Sequence, residues 1–224
     1  MGVTLIIPAL NEADCLGPLL AEVPAGLVDQ LIVVDNGSSD GTAEVARSAG
    51  ATVILEPRRG YGFACAAGTA GASEDVLVFM DGDGSFLPGE LPGLLEPLNA
   101  GETGMVLGSR FLNGLPHHAM PPHQRFGNRL FTWLLRQRFG LALSDLGPFR
   151  AIRHDLLLAL DMQEHTYGWP LEMIIKTARR RQPLVEIPVT YRRRFAGQSK
   201  VGGTLRGSVL TAYRYTRVIL SYAW

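Results

Sequence analysis

Cysteine is scarce in this 224-residue chain, which carries only Cys15 and Cys65. Two thiols, each within a small apolar helix-like stretch, exclude a disulfide framework or a multi-cysteine zinc site and point to buried packing in a reducing compartment. No run reaches the ~18 uninterrupted apolar residues of a membrane-spanning helix. The opening "VTLIIPALNE" lacks the charged start, long apolar region and small-residue cleavage site of a secretory signal, so a cytoplasmic location is expected. Basic residues are nearly missing from the first half: residues 1–100 hold 3 Lys/Arg against 14 Asp/Glu, whereas residues 101–224 hold 18 against 7. A formal net charge of zero therefore hides an acidic half suited to a metal ion and a basic half suited to a phosphate, an acidic lipid surface or a nucleic acid. Incidental segregation of solvated charged faces is the alternative. No nucleic-acid motif accompanies the basic half, so nucleic acid is not an expected partner.

What is present fits one sizeable core: 46% of the residues are hydrophobic, and the length suits a single domain. Short apolar runs at "VTLIIP", "QLIVVD", "ATVILE", "VLVFMD" and "GMVLGS" alternate with segments of helical periodicity such as Leu16, Leu19, Leu20 and Val23. Runs apolar throughout belong to strands covered on both faces, which predicts an α/β fold with a parallel sheet between helices. Ligands of such sheets collect beyond the carboxyl ends of the strands. Four loops should meet there: "PALNE" (8–12), "DNGSSDGT" (35–42), "PRRGYGF" (57–63) and "DGDGS" (81–85). Asp40, ahead of "GTAEVA", is expected to start a helix; Asp35 is equally suited to face a ligand or to hold its own turn.

"DGDGS" is the most informative of these loops. A calcium loop begun at Asp81 would need Gly at its sixth position and Glu at its twelfth, where the chain has Phe86 and Pro92. A dinucleotide fingerprint should follow the first strand, but "PALNEAD" has no glycine, and the Walker pattern occurs nowhere. There remains a hard divalent cation, Mg²⁺ or Mn²⁺, held by Asp81 and Asp83 with water and diphosphate oxygens completing its shell. The glycines, Gly82 among them, let the backbone turn sharply and approach a ligand closely.

"PALNE", "VVDNGSSDGT", "MDGDGSFLP", "GSRF", "DLGPFRA" and "RRRFAGQSK" together, in this order and spacing, resemble the family 2 glycosyltransferases. The likeness covers most of the chain and is greatest to the branch of dolichyl- and polyprenyl-phosphate mannosyltransferases and glucosyltransferases. It implies a GT-A-type, Rossmann-like, mostly parallel sheet, with a nucleotide-sugar half (1–110) and an acceptor half (111–224) that carries the acceptor-side helices. It implies that Pro8, Ala9, Leu10, Glu12, Asp35, Arg59 and Gly60 hold the nucleoside. Asp81 and Gly82 would lie towards ribose and base, and Asp83 would take the cation directly. Ser85 stands where some mannosyl relatives have Gln. The donor is a nucleoside diphosphate sugar of the GDP-mannose or UDP-glucose type, and the family reaction inverts the anomeric centre by direct attack.

A phosphate acceptor is already ionised at neutral pH and needs cations rather than a base. Candidates are Arg110, Arg125, Arg150, Arg194 and the Ser199–Lys200 pair, suited to charged phosphate contacts. A hydroxyl acceptor would need a base, and Glu172 falls where other members of the wider family keep theirs; a Glu in a first helical turn is favourable without any catalytic role. A non-catalytic nucleotide-binding protein is the rival from another class. "RFGNRLFTWLLRQRFG" (125–140) has the pattern of a basic amphipathic helix for a membrane surface, with packing on the core as the alternative. The tail from Leu205 to Trp224 suggests a second interfacial or oligomer-forming helix, and a chain ending there reads as a peripheral protein on the inner face of the membrane or as one shortened before membrane helices. His117, His118 and His123 lie in a Pro-rich loop expected to be mobile on the acceptor side rather than metal-binding.

Overall fold

The computed structural model describes residues 1–115, 119–197 and 205–222. Strands β1 (Val3–Ala9), β2 (Gln30–Asp35), β3 (Thr52–Leu55), β4 (Val76–Phe79) and β5 (Met105–Ser109) form where the apolar runs predict them. Two more, β6 (Arg150–Arg153) and β7 (Leu184–Pro188), complete one seven-stranded sheet of order β3-β2-β1-β4-β6-β5-β7. Only β6 runs against its neighbours, wedged between β4 and β5. The fold is thus α/β with a mostly parallel sheet, and it joins residues of both charge halves edge to edge.

Period-two alternation sends side chains of each strand to opposite cores. Leu5, Ile7, Val33 and Val78 pack with Leu16 and Leu19 of α1 (Ala13–Ala21), Ala46 of α2 (Thr42–Ser48) and Leu94 of α4 (Leu91–Asn99). Ile6, Ile32, Val34, Leu77 and Phe79 face the other side, against Ala64 and Cys65 of α3 (Tyr61–Gly71). The same layer holds α5 (Pro122–Phe139), α6 (His154–Leu160), α7 (Trp169–Arg179) and α8 (Leu205–Ser221). Both cysteines are buried and unpaired, as expected.

Reversal of β6 matters for position. Phe79 at the end of β4 pairs with Arg150 at the start of β6, so the loop before β6 reaches the same sheet edge as the carboxyl ends of β1, β2 and β4. No described helix is long and apolar enough to cross a membrane.

Candidate active site

Beyond that edge lies a cavity of about 370 Å³. Pro8, Ala9, Leu10 and Glu12 after β1, Asn36 after β2, Arg59 and Gly60 before α3, and Asp81, Gly82 and Asp83 after β4 form one part of its wall. Tyr61 and Ala64 of α3, Thr166 and Tyr167 before α7, Arg194 after β7, and Leu210 and Arg214 of α8 form the rest.

The Asp-Gly-Asp-Gly turn is clamped by the segment following β7. Phe195 N–H donates to the Asp83 carbonyl at 3.1 Å, Arg192 N–H to the Ser85 carbonyl at 2.9 Å, and Arg192 Nε to the Gly84 carbonyl at 2.6 Å. Gly84 has φ +76°, and a Cβ there would collide with the Phe195 ring, so conformation and space both require glycine. Asp83 Oδ1 accepts the Ser85 N–H at 2.9 Å, while Oδ2 faces Arg194 Nη1 at 3.7 Å. Arg194 Nη2 also donates to Glu12 at 2.8 Å. The segregated charges of the sequence therefore meet here: Arg194 and Arg192, from the basic half, pair with Glu12, Asp83 and Glu22 of the acidic half.

Asp81 lies deeper, within 3.5 Å of the Tyr61 hydroxyl. Burial, then the Asp83 charge, push its carboxyl up to about 7, against the pull of Arg110 and Arg150. Two hard carboxylates on one turn, one with an oxygen set opposite a cation, fit an Mg²⁺ or Mn²⁺ ion whose other ligands come from a diphosphate and water. No group of three or more His, Cys, Asp or Glu residues able to hold a metal occurs among the described residues.

Among the residues expected to hold the nucleoside, Asp35 is turned back on its own chain, its Oδ1 accepting the Ser38 N–H at 2.7 Å and so closing its own turn. Asn36, which sequence reasoning passed over, takes the place on the wall. Its Nδ2 donates to the Glu56 and Arg58 carbonyls at 3.0 and 2.7 Å, and its Oδ1 accepts the Gly60 N–H at 2.8 Å, fastening the loop before α3 to β2. Gly60 has φ +154°, and a Cβ there would strike the His165 carbonyl. Gly60→Ala is accordingly expected to weaken nucleotide binding about tenfold or more by shifting this wall, measurable by calorimetry with UDP and GDP. Asp40 is structural, as expected: its carboxylate accepts the N–H groups of Thr42 at 3.0 Å and Ala13 at 3.2 Å, joining the starts of α1 and α2.

Acceptor-side candidates are divided by the structure. Arg194 lines the cavity. Arg110 is held by the buried Asp145, its Nε and Nη2 donating at 2.7 and 2.8 Å. Arg125 turns to the Met120 and Leu115 carbonyls, each at 3.2 Å. Arg150 requires correction as a phosphate ligand: it is 1% exposed and caged by the carbonyls of Pro170, Gly147 and Leu146. Ser199, Lys200, His117 and His118 lie outside the described residues.

Glu172, the base candidate, is also turned away from the cavity. It is 1% exposed and accepts the N–H groups of Gln163 and Glu164 at 3.0 and 2.8 Å and the Tyr222 hydroxyl at 2.7 Å, with Lys176 Nζ at 2.9 Å. It ties α7, the segment before α7 and the end of α8 together and presents nothing to the cavity.

Helix α5 packs on the core, the second of its two sequence readings, and leaves part of its apolar surface uncovered. Phe131 and Leu135 are buried, while Phe126, Leu130 and Trp133, at helical spacing, are exposed among the arginines.

Residues 4–160 match the family described as Glycosyl transferase family 2. An uncharacterized glycosyltransferase of Mycobacterium tuberculosis is 39% identical over 97% of both chains. An undecaprenyl-phosphate mannosyltransferase of Micrococcus luteus is 32% identical, covering 100% of this chain and 96% of the relative. Among solved structures, glucosyl-3-phosphoglycerate synthase from Mycobacterium tuberculosis, in complex with Mn²⁺, UDP-glucose and phosphoglyceric acid, aligns with a TM-score of 0.78 and 25% identity over 99% of this chain and 79% of that one.

Proposed function

This chain belongs to glycosyl transferase family 2, and from that premise we propose that it moves a hexose from a nucleoside diphosphate donor to the phosphate of a polyprenyl-type lipid, with inversion and with Mg²⁺ or Mn²⁺. One observation carries this reading: the carboxylates of Asp81 and Asp83 open into a cavity that arginines of the other half close. Pro8 to Glu12, Asn36, Arg59 and Gly60 hold the nucleoside, with Asp35 shaping the turn beside them. Asp83, with Asp81 behind it, holds the cation, which when bound supplies positive charge to the departing diphosphate.

The bond between the anomeric carbon and the diphosphate breaks, and a bond from an acceptor phosphate oxygen to that carbon forms on the opposite face. The nucleoside diphosphate leaves with the electron pair. No proton has to be removed from an ionised phosphate, which agrees with Glu172 being committed elsewhere. Arg194, which pairs with Glu12 and Asp83 at the cavity, would be freed by a bound cation to meet an incoming anion, with Ser199 and Lys200 as the further acceptor candidates after it in sequence. Arg110 and Arg150 act from behind the wall, partly offsetting the burial and the Asp83 charge that raise the Asp81 carboxyl. Arg125 and the exposed face of α5 place the protein against the inner membrane surface.

The undecaprenyl-phosphate mannosyltransferase of Micrococcus luteus supports the lipid phosphate. The phosphoglyceric acid in the synthase complex supports a second reading, a soluble phosphorylated acceptor. Incubation with GDP-mannose or UDP-glucose, Mn²⁺ and farnesyl phosphate is expected to release nucleoside diphosphate and form prenyl-phosphate hexose, and EDTA is expected to abolish both. Tight nucleotide binding without transfer to any acceptor would instead support a non-catalytic role.

A further inference from the structure

Arg214 was no part of the sequence-based acceptor set, yet it reaches the cavity wall. Helix α8 is held in place along one stripe. Tyr215 meets the Phe131 ring edge-on at 5.1 Å, Val218 and Ile219 are buried, and Tyr222 bonds Glu172. This anchoring fixes the flank of the helix that carries Leu210 and Arg214, four residues apart and therefore on one face. Both line the cavity.

Arg214 Nε is buried and meets no hydrogen-bond partner among the described residues. A buried guanidinium donor left unmet is costly, and an anionic oxygen is the group that satisfies it best. Arg194, on the same cavity, pairs with Glu12 and Asp83 in this structure, so Arg214 is a second cation of the cavity beside it rather than a substitute for it. Next to Arg214, Val209, Leu210 and Tyr213 are exposed apolar side chains on the same helix. A cationic donor inside a cavity with an apolar ramp leading out of it matches an amphiphile: a phosphate inside and a hydrocarbon chain outside.

Resting on the proposed transferase reading, we infer that Arg214 binds the phosphate of the acceptor and that Leu210 guides its hydrocarbon chain, making α8 the acceptor-recognition helix. Donor recognition stays with the strand-end loops across the cavity. Arg214→Gln removes the charge, Arg214→Lys keeps it without the planar fork, and Leu210→Ser removes the apolar contact alone.

The test is steady-state kinetics of the full chain with Mn²⁺ and its sugar donor, varying farnesyl phosphate in one arm and 3-phosphoglycerate in the other. Melting temperature and nucleoside diphosphate affinity are measured alongside. Arg214→Gln is expected to raise KM for farnesyl phosphate about tenfold, the loss of one charge-assisted hydrogen bond. Donor KM, nucleotide affinity and melting temperature should not change, and Arg214→Lys should recover part of the loss. Leu210→Ser should raise KM for farnesyl phosphate only. An unchanged acceptor KM in Arg214→Gln, or an equal rise in donor KM, overturns the assignment while leaving the transferase reading intact. Wild-type preference for 3-phosphoglycerate overturns the lipid source. Absence of transfer to any phosphate by the wild type overturns the transferase reading and this assignment together.

Discussion

Asp83→Asn should lower kcat for sugar transfer by roughly 10²- to 10³-fold, the scale seen when one preorganised charge-stabilising group is removed. Asparagine has the same shape, and its Oδ1 still accepts the Ser85 N–H, so the turn and its clamp by residues 192–195 survive. What is lost is the negative charge facing Arg194, the position from which, on the proposed reading, a divalent cation would be held against the leaving diphosphate. Melting temperature should stay within a degree or so of wild type, since Asp83 lies on the cavity wall and its one backbone bond is kept. Activity above about a tenth of wild type in saturating Mn²⁺ would remove Asp83 from the catalytic machinery.

Glu172→Ala should destabilise the fold by about 3–5 kcal/mol, measured by urea unfolding, because it leaves buried donors without their acceptor and a mostly buried ammonium with only the Asp161 carbonyl. Four groups lose a partner at once: the Gln163 and Glu164 N–H groups, the Tyr222 hydroxyl and Lys176. Tyr222→Phe cuts only the tie to α8 and should cost about 1 kcal/mol. Burial raises the Glu172 pKa, but bonds from Tyr222, Glu164, Lys176 and Gln163 outweigh it and hold the carboxyl below its ordinary value. A lowered acid contributes stability above the unfolded value and loses it as pH falls through the folded one, so the difference between wild type and Glu172→Ala should shrink below pH ~4. A base would behave oppositely under Glu172→Gln, losing kcat while keeping its melting temperature.

The two residues show how differently a sequence reveals its parts. Strands β1 to β5 are legible because continuous apolar runs allow few structures but a strand covered on both faces. Strand β6 is not, since "RAIR" begins and ends on arginine, and only the folded chain shows the Nη groups of Arg150 turned to three carbonyls in the core, with its Nε buried and unmet among the described residues. Antiparallel insertion between β4 and β5 is a property of the sheet, with no local pattern to announce it.

The Asp-Gly-Asp turn is legible because glycines flanking carboxylates at a strand end limit the chemistry available. Asn36 looks like ordinary turn composition in "DNGSSDG"; its position after a strand was the available signal for its grip on Gly60. Arg214 is hidden for another reason. Periodicity marks the tail as basic and amphipathic, yet cannot tell which arginine turns inward, because that depends on the stripe of Tyr215, Val218 and Ile219 that docks the helix.

The central claim is that cation and diphosphate are held at the tip of β4 while cations of the basic half receive the acceptor. Crystals soaked with Mn²⁺ and the nucleoside diphosphate, measured at the manganese absorption edge, test it most directly. The account predicts an anomalous peak bonded to an Asp83 carboxylate oxygen, with the diphosphate beside it and Arg194 moved off Glu12. A peak elsewhere, with the Arg194 pairs to Glu12 and Asp83 intact, would contradict it.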